Sequence, residues 1–246
     1  MEQFTRTELL LGPQAMKALG NARIIVFGVG GVGSWCVEAL ARSGVGALTV
    51  VDSDTVDISN INRQLVADRN TIGQMKTTVM ARRIFNVNPS CHIEGVAASY
   101  DSDTSSAFDL DSYDVVVDAI DSVASKAHLI ATATRCRHAR LVSSMGAAQK
   151  ADVSKVRTDW FDNVSGCPLA RALRSKFRQT DLRPWRKFRC VYSPELVPNK
   201  LETPAQMTAN GLKRTNGTIV TTTATFGMAL AQLAIESILK RNTITC

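Results

Sequence analysis

The chain has 246 residues, 45% of them hydrophobic, which suits one large globular α/β core. Its six cysteines form no CxxC pair and are not regularly spaced, which argues against a zinc ribbon and against a disulfide framework. The formal net charge is +7, and the segment 171–189, with eight basic residues and one acidic residue, accounts for all of it.

The first residues predict a helix followed by a strand. Residues 6–19 have helical spacing, with Leu9, Leu10 and Leu19 on the apolar side, and the Gly12-Pro13 step bends or divides the helix. No basic and apolar leader precedes it, so we expect a cytoplasmic protein. Residues 23–27 then form a predicted buried strand that enters a glycine-rich turn.

Strands and helices alternate from this turn to residue 143. Further strands are predicted over residues 47–51, 92–97, 113–118 and 139–143. Helices are predicted over residues 32–41, 74–85 and 122–136. The alternation implies right-handed crossovers and a doubly wound, mostly parallel Rossmann-like sheet of the α/β class.

The pattern changes beyond residue 146. Residues 152–158 and 188–192 are predicted to form additional antiparallel strands, with a mobile basic insertion between them. Residues 193–217 are rich in proline and glycine and predict a loop, and residues 218–240 predict a closing helix on the sheet. The weakly charged stretch 215–237 has the length of a membrane span, but its threonines favour a buried helix.

The glycine-rich turn is the first candidate for a binding site. Gly28, Gly30 and Gly33 form a GxGxxG pattern after a strand, and such glycines let backbone amides approach a phosphate at a helix N-terminus. Asp52 ends the next strand, at the spacing expected for a carboxylate that binds ribose hydroxyls. The turn alone is compatible with a dinucleotide.

Polar residues after the second strand favour ATP instead. Gly30 is followed by a second glycine, Gly31, and Asn60, Arg63 and Lys76 come soon after the second strand. A dehydrogenase has no evident need for these residues, whereas a triphosphate does. Arg63 and Lys76 as ordinary surface charges remain the alternative.

These motifs together resemble the ubiquitin-activating-enzyme-like family of ThiF, MoeB and HesA proteins. The family pattern is a GxGGxG turn, an aspartate after the second strand, an SNxNRQ-like motif, a GxxK lysine and a strand ending in D-x-x-D. They correspond here to residues 28–33, 52, 59–64, 73–76 and 118–121. The resemblance implies ATP-dependent adenylation of a carboxylate, usually by a homodimer.

The resemblance also implies roles for individual residues. The residues expected to bind ATP are Gly28, Gly30, Gly31, Gly33, Asp52, Asp54, Asn60, Arg63, Gln64, Lys76 and Asp121. Arg63, Lys76 and Asp121 are the expected catalytic residues, with Arg6 reaching the γ-phosphate across the dimer interface. Asp121 is the expected Mg²⁺ ligand, Asp118 is nearly as good a candidate, and Asp54 as a turn cap is the alternative to its role in binding.

The second half of the chain resembles the tRNA threonylcarbamoyladenosine dehydratase branch of this family. The resemblance lies in the Gly-Cys-Pro-Leu sequence at 166–169, the segment 190–195, and the Thr-Ala-Thr-Phe-Gly sequence at 223–227. It implies that ATP activates the threonyl carboxylate of the modified base, and that the carbamoyl group then closes a ring. It further implies a cysteine desulfurase with its sulfur acceptor as partners and a monovalent cation, K⁺ or Na⁺, for neither of which residues are assigned.

The basic segment points to the same substrate by charge, because clustered cations favour a polyanion. The candidate RNA-binding residues are Arg171, Arg174, Lys176, Arg178, Arg183, Arg186, Lys187 and Arg189. Trp185 and Phe188 are candidates to stack on bases, with packing onto the sheet as the equal alternative. A solvated basic helix is the alternative for the whole segment.

Two further questions stay open at this stage. Relatives that activate ubiquitin-like sulfur carriers hold zinc through two CxxC pairs, which this chain lacks, so we expect no zinc, and an adenylyltransferase for such a carrier is the alternative function. Cys167 corresponds to a cysteine that forms a thioester in some relatives, although an intramolecular cyclisation does not need one.

The resemblance spans one adenylating domain over residues 1–246. We expect an N-terminal helical segment (1–22), a nucleotide-binding core (23–145), a basic insertion with loops (146–217) and a C-terminal helix (218–246).

Overall fold

A computed structural model describes residues 2–202, 205–208 and 211–242 of the chain. The strands are β1 (Arg23–Phe27), β2 (Ala47–Val51), β3 (His92–Val96), β4 (Val115–Asp118), β5 (Arg140–Ser144), β6 (Arg157–Trp160), β7 (Arg189–Tyr192), β8 (Ala205–Thr208) and β9 (Gly211–Arg214). The helices are α1 (Thr5–Leu11), α2 (Pro13–Asn21), α3 (Gly33–Arg42), α4 (Lys76–Val87), α5 (Val123–Ala133), α6 (Pro168–Gln179) and α7 (Val220–Arg241).

The main sheet has seven strands in the order β3-β2-β1-β4-β5-β7-β6. All neighbours are parallel except β6 and β7, which confirms the α/β Rossmann-like prediction and the antiparallel pairing of the two extra strands. The chain moves outward from β1 in one direction and then from β4 in the other. The carboxyl ends of β1 and β4 therefore flank a switch point, where ligands of such sheets bind.

The apolar strands are buried on both faces of the sheet. Ile24 and Val26 of β1 point into a core formed with α3 and α7. Ile25 and Phe27 point into a second core formed with α5 and α6. This double burial explains the continuous hydrophobic sequence of the strand.

Helix α7 packs closely against α3 on the first face. A Cβ on Gly227 would lie 2.6 Å from the carbonyl oxygen of Val32, so a glycine is needed for this approach. Phe226 and Leu230 are buried in the same contact. Within the described residues, α7 alone is long and apolar enough for a membrane span, but 61% of its most apolar window is buried in the fold.

The N-terminal helix departs from the prediction. The break at Gly12 is confirmed, and Leu19 of α2 is buried. However, Leu9 and Leu10, which were predicted to lie on the apolar side of the helix, are 83% and 82% exposed, so they do not pack against the core. Helical spacing identifies the shared face of two leucines but not what covers it.

The region predicted as a mobile insertion contributes to the sheet and to the second core. Helix α6 contains the first half of the basic segment, and its Ala170, Leu173 and Phe177 side chains are buried. Strand β7 also runs parallel to β5, so it extends the main sheet rather than forming a separate element. The predicted loop 193–217 contains the antiparallel strands β8 and β9. The last predicted residues of the C-terminal segment, 243–246, lie outside the described residues.

Candidate active site

A cavity of about 700 Å³ opens at the switch point between β1 and β4. Its lining comes from the ends of β1, β2 and β5, from the loop after β4, and from the segment before α7. Among the lining residues are Gly28, Gly30, Gly31, Asp52, Asp54, Asn62, Arg63, Lys76, Tyr100, Ile120, Asp121, Ala147, Leu169, Thr218 and Thr223. These residues come from ten separate stretches of the chain, which the fold brings together around one cavity.

The glycine turn forms the floor of this cavity. Gly28 has φ +91°, and a Cβ there would lie 2.8 Å from the Ala119 carbonyl oxygen. A Cβ on Gly33, the first residue of α3, would lie 1.8 Å from the Gly28 carbonyl oxygen. Gly30 and Gly31 line the cavity itself. The turn therefore depends on two glycines for its shape and presents two others to a ligand.

Asp52 is anchored at the end of β2 by backbone amides. The Val29 amide donates to its Oδ2 at 2.6 Å, and the Asp54 amide donates to its Oδ1 at 2.9 Å. These bonds fix the carboxylate beside the glycine turn, where it lines the cavity. The position is the one predicted for a ribose-binding acid.

Lys76 is a buried cation at the start of α4. Only 5% of the residue is exposed, its Nζ lies 2.7 Å from Oδ2 of Asp54, and it lies 4.0 Å from Oδ1 of Asp52. Asp54 is itself exposed, so this pair sits at the cavity rim. Asp54 therefore holds the lysine, a contact that the sequence did not indicate.

Arg63 is a second cation that lines the cavity, and it lies in the loop between β2 and α4. Its Nη1 donates to the Ser59 carbonyl oxygen and to Oδ1 of Asn62, both at 2.9 Å. Its side chain also packs on Gly31, where a Cβ would lie 3.3 Å from the arginine Cγ. Two fixed cations thus face the glycine turn from different elements.

Asn60 and Gln64 do not line the cavity, although both were expected to contact ATP. Asn60 is buried, and its Oδ1 accepts a hydrogen bond from the Asp57 amide in a capping box. Gln64 is 7% exposed, and its Oε1 has no hydrogen-bond partner. The asparagine shapes the turn that carries Arg63, so its effect on the site is indirect.

The two aspartates of the D-x-x-D motif have different environments. Asp121 is exposed and lines the cavity. Asp118 is fully buried, with its Oδ2 2.8 Å from Nζ of Lys126 and 2.6 Å from the hydroxyl of Ser143, which donates to it. Asp118 is therefore a weaker magnesium candidate than Asp121, because its carboxylate is already paired with Lys126.

Lys126 is a functional candidate that the sequence reasoning missed. It is fully buried, and its Nζ donates to the Ile120 carbonyl oxygen at 2.9 Å as well as pairing with Asp118. It thus supports the loop that ends at Asp121. The available signal was a single lysine at the start of the apolar helix α5.

The apolar end of the cavity was also missed. Phe27, Val51 and Ile120 line it together with Tyr100. The rings of Phe27 and Tyr100 meet edge to face at 4.8 Å between centroids, and the Tyr100 hydroxyl lies 3.2 Å from Nδ1 of His128. Burial raises the pKa of Tyr100, so its phenol stays neutral.

Cys167 is buried beside the cavity without lining it. It is 4% exposed and is the N-cap residue of α6. Lys150 interacts electrostatically with Cys167. It is 3% exposed, and its Nζ has no hydrogen-bond partner. Burial lowers the pKa of Lys150, while the charges of Cys167 and Glu195 oppose this shift.

Much of the basic segment lies at the amino ends of the strands, which is the end of the sheet opposite the cavity. Residue 189 begins β7, which is parallel to β5, so the segment 183–189 is next to the amino ends of the strands, away from the cavity. Three of its arginines bind backbone or an acid: Arg174 donates to the Phe161 and Val164 carbonyls, Arg186 to those of Thr134, Cys136 and Ala139, and Arg189 pairs with Glu236. Phe188 is buried, which supports packing rather than base stacking, whereas Trp185 is exposed.

Arg6 is exposed on α1 and does not line the cavity. Within the described ranges, no three His, Cys, Asp or Glu side chains are grouped as metal ligands. The five described cysteines are free, and Cys246 lies outside the described residues.

Comparison with known proteins identifies relatives over the whole chain. The profile of the ThiF family matches residues 4–246. A tRNA threonylcarbamoyladenosine dehydratase of Haemophilus influenzae is 37% identical over 98% of this chain and 94% of its own length. The enzyme of that name from Escherichia coli is 35% identical with the same coverage.

Solved structures agree with these relatives. The crystal structure of the E. coli enzyme TcdA in complex with ATP has a TM-score of 0.85 at 32% identity, covering 98% of this chain and 95% of that chain. A molybdopterin-synthase adenylyltransferase of Salmonella typhimurium is 34% identical over 60% of this chain and 59% of its own length.

Proposed function

The chain belongs to the ThiF family, and from this we propose that it catalyses the ATP-dependent dehydration of threonylcarbamoyladenosine in tRNA. The observation that carries the proposal is the likeness to tRNA threonylcarbamoyladenosine dehydratases over the second half as well as the nucleotide-binding half. The cavity supports it, because its glycine floor, two cations and apolar end suit a nucleoside triphosphate.

We infer one orientation of ATP from the residues that line the cavity. The adenine would occupy the apolar end beside Phe27 and Tyr100, and the ribose hydroxyls would bond to Asp52. The phosphates would then lie over Gly30 and Gly31, where the absence of side chains gives access to the backbone. In this orientation the triphosphate would lie close to Arg63 and Lys76.

Arg63 and Lys76 would stabilise the charge that develops in adenylation. A threonyl carboxylate oxygen attacks the α-phosphorus, the bond from that phosphorus to the bridging oxygen breaks, and pyrophosphate leaves with the electron pair. Negative charge rises on the nonbridging oxygens, and preorganised cations lower its free energy. Before ATP binds, Lys76 is held by Asp54, so the triphosphate must compete for or share that ammonium.

Ring closure needs no external nucleophile. An atom of the carbamoyl group attacks the activated carbonyl carbon, the bond to the AMP oxygen breaks, and the carbamoyl group loses a proton. Because both groups belong to one modified base, proximity favours this step over attack by another molecule. The net result is loss of one water, whose oxygen leaves with AMP. Cys167 takes no part in these two reaction steps.

Asp121 is the residue proposed to hold Mg²⁺ with the ATP. Its exposed carboxylate lies in the cavity, and carboxylate with phosphate oxygens is the ligand set that Mg²⁺ prefers. Bound there, the ion supplies charge neutralisation at the phosphates. A monovalent cation, K⁺ or Na⁺, stays part of the proposal without assigned residues.

A homodimer completes the proposal. Leu9 and Leu10 expose apolar surface on the helix that carries Arg6, and burial against a second copy would cover them. Such an arrangement would allow Arg6 to approach the partner's phosphates. The proposed function also implies a cytoplasmic location. A cysteine desulfurase and its sulfur acceptor are proposed as partners, with no residues assigned to their binding.

Mass spectrometry of tRNA nucleosides after incubation with ATP tests the function. We expect threonylcarbamoyladenosine to lose one water in the presence of ATP, and the Arg63→Ala variant to lose this activity. Unchanged nucleosides would refute the proposal. Pyrophosphate exchange stimulated by a small protein ending in Gly-Gly, and not by modified tRNA, would instead establish the carrier-protein adenylyltransferase.

A further inference from the structure

Two cavities lie side by side at the sheet edge opposite the candidate active site. The first, of about 550 Å³, is lined by the end of α6 and the segment 183–188. The second, of about 560 Å³, is lined by the ends of β6 and α7. Arg186, Lys187 and Phe188 line both, so the two cavities share one wall.

Each cavity has an exposed tryptophan. Trp185 lines the first and is 73% exposed, and Trp160 lines the second and is 44% exposed. The guanidinium of Arg135 lies 5.8 Å from the Trp185 ring centroid. The third tryptophan, Trp35, is partly buried and donates to the Arg63 carbonyl oxygen. Two indole faces are therefore available on one surface, and the fold uses neither as core.

The surface around these rings is strongly basic. The cations that line the two cavities are Arg140, Arg178, Arg183, Arg186, Lys187, Arg189, Lys240 and Arg241. Three acids pair with them: Asp162 lies 4.0 Å from Lys187, Glu236 pairs with Arg189 and Lys240, and Asp114, outside the lining, pairs with Arg241. Exposed aromatic faces interleaved with cations are the features that bind single-stranded nucleic acid.

We propose that the two cavities form one platform that binds unpaired bases of an RNA loop, one base on Trp185 and one on Trp160. Lys187, on the shared wall, is placed to bind the phosphate between them. The inference rests on the proposed function for the identity of the RNA as the tRNA substrate. It adds Trp160, Arg140 and Lys240 to the RNA surface, none of which belongs to the basic segment.

Helix α6 connects this platform to the active site. Leu169 in its first turn lines the nucleotide cavity, and Phe177 and Arg178 in its last turn line the platform. A helix of 12 residues is about 18 Å long, which sets the separation. Arg171 is exposed along the helix. The platform therefore binds a part of the tRNA other than the reacting nucleotide, and holds the RNA rather than the reacting group.

RNA affinity of tryptophan variants tests the platform. Fluorescence anisotropy at fixed salt would measure binding of an RNA stem-loop with an unpaired loop to the full chain and to Trp160→Ala, Trp185→Ala and the double variant. Stacking is worth about 1–3 kcal/mol per base, so each variant should bind about 5- to 150-fold more weakly. The phenylalanine substitutions should retain part of the affinity. Lys17→Ala, at an exposed lysine of α2 that lines neither cavity, should change nothing.

Kinetic constants and ATP binding complete the test. ATP affinity should stay at the wild-type value in all variants, which shows that they fold and that the active site is intact. With tRNA as substrate, KM should rise while kcat stays constant, because the platform binds the ground state and the transition state alike. Wild-type RNA affinity in the double variant would overturn the platform, and would assign this surface to another partner such as an acidic protein. RNA binding at the platform without dehydration would overturn the proposed function alone.

Discussion

The ion pair between Asp118 and Lys126 allows a sharp test of how the active-site loop is supported. Replacing Lys126 with Met keeps the length of the side chain and removes its charge. The carboxylate of Asp118, which is fully buried, would then keep only the hydrogen bonds from Ser143 and the Ile120 amide. Breaking a buried pair in this way lowers the free energy of unfolding by about 3–5 kcal/mol.

The expected loss is large enough to measure by two methods. Urea denaturation followed by circular dichroism gives the free energy of unfolding directly. For a chain of this length each kcal/mol corresponds to about 2–4 °C, so thermal unfolding should shift downward by about 6–20 °C. Lys17→Met, at an exposed lysine, is the matched control and should change the free energy by less than about 0.5 kcal/mol.

A second substitution separates the charge pair from packing. Asp118→Asn in the Lys126→Met background leaves no charge buried at this pair, so most of the lost stability should return. The coupling free energy between the two positions should be at least about 2 kcal/mol. The reasoning is refuted if Lys126→Met loses less than about 1 kcal/mol, or if the double variant is no more stable than the single one.

Three further outcomes are expected. Gly33→Ala should abolish ATP binding in calorimetry, because its Cβ would lie 1.8 Å from the Gly28 carbonyl oxygen, whereas Gly20→Ala, with open space around its Cβ, should bind normally. Lys150→Met should raise the free energy of unfolding at pH 7 by about 1–3 kcal/mol, since it removes a buried amine without a partner. Burial lowers the folded-state pKa of that lysine, so the wild type gains stability as pH rises through this pKa towards 10.5, and urea titrations at pH 7 and pH 10 should show the advantage of Met shrinking. Cys167→Ser should cyclise at the wild-type rate in single-turnover assays, and a loss of several orders of magnitude would make the thiol catalytic.

The sheet could be predicted because its strands have simple sequence patterns. The Val115–Val117 run is buried on both faces, and such strands stay apolar throughout. The position of Leu9 and Leu10 could not be predicted, because an apolar face indicates burial without saying against what. The parallel pairing of β7 with β5 was also missed, since it is a contact between distant segments that no local pattern records.

The candidate site was predictable wherever backbone geometry demands a residue type. Gly28 and Gly33 are required by close contacts, and Asp52 lies where the second strand must end. The two acids of the D-x-x-D motif could not be distinguished, because a buried and an exposed aspartate look alike in sequence. Lys126 decides between them, and its place beside Asp118 is known only once α5 packs under the sheet.

The basic segment shows the same limit for charge. The net positive charge of the segment indicated a polyanionic ligand, but Arg174 and Arg186 bind backbone carbonyls within the fold. Trp160 and Trp185, which lie 25 residues apart, come to one surface through the pairing of β6 with β7. Composition therefore indicated the class of ligand, and topology indicates where it would bind.

The packing of α7 on the glycine turn has a consequence for synthesis of the chain. Thr223 lines the cavity and Gly227 lets α7 approach α3, yet both leave the ribosome about 190 residues after the turn itself. At about 5–20 residues per second, the interval is about 10–40 s. During that time β1, β2 and the turn exist without the helix that covers α3. We therefore expect the nascent protein to acquire nucleotide binding only after α7 has left the ribosome.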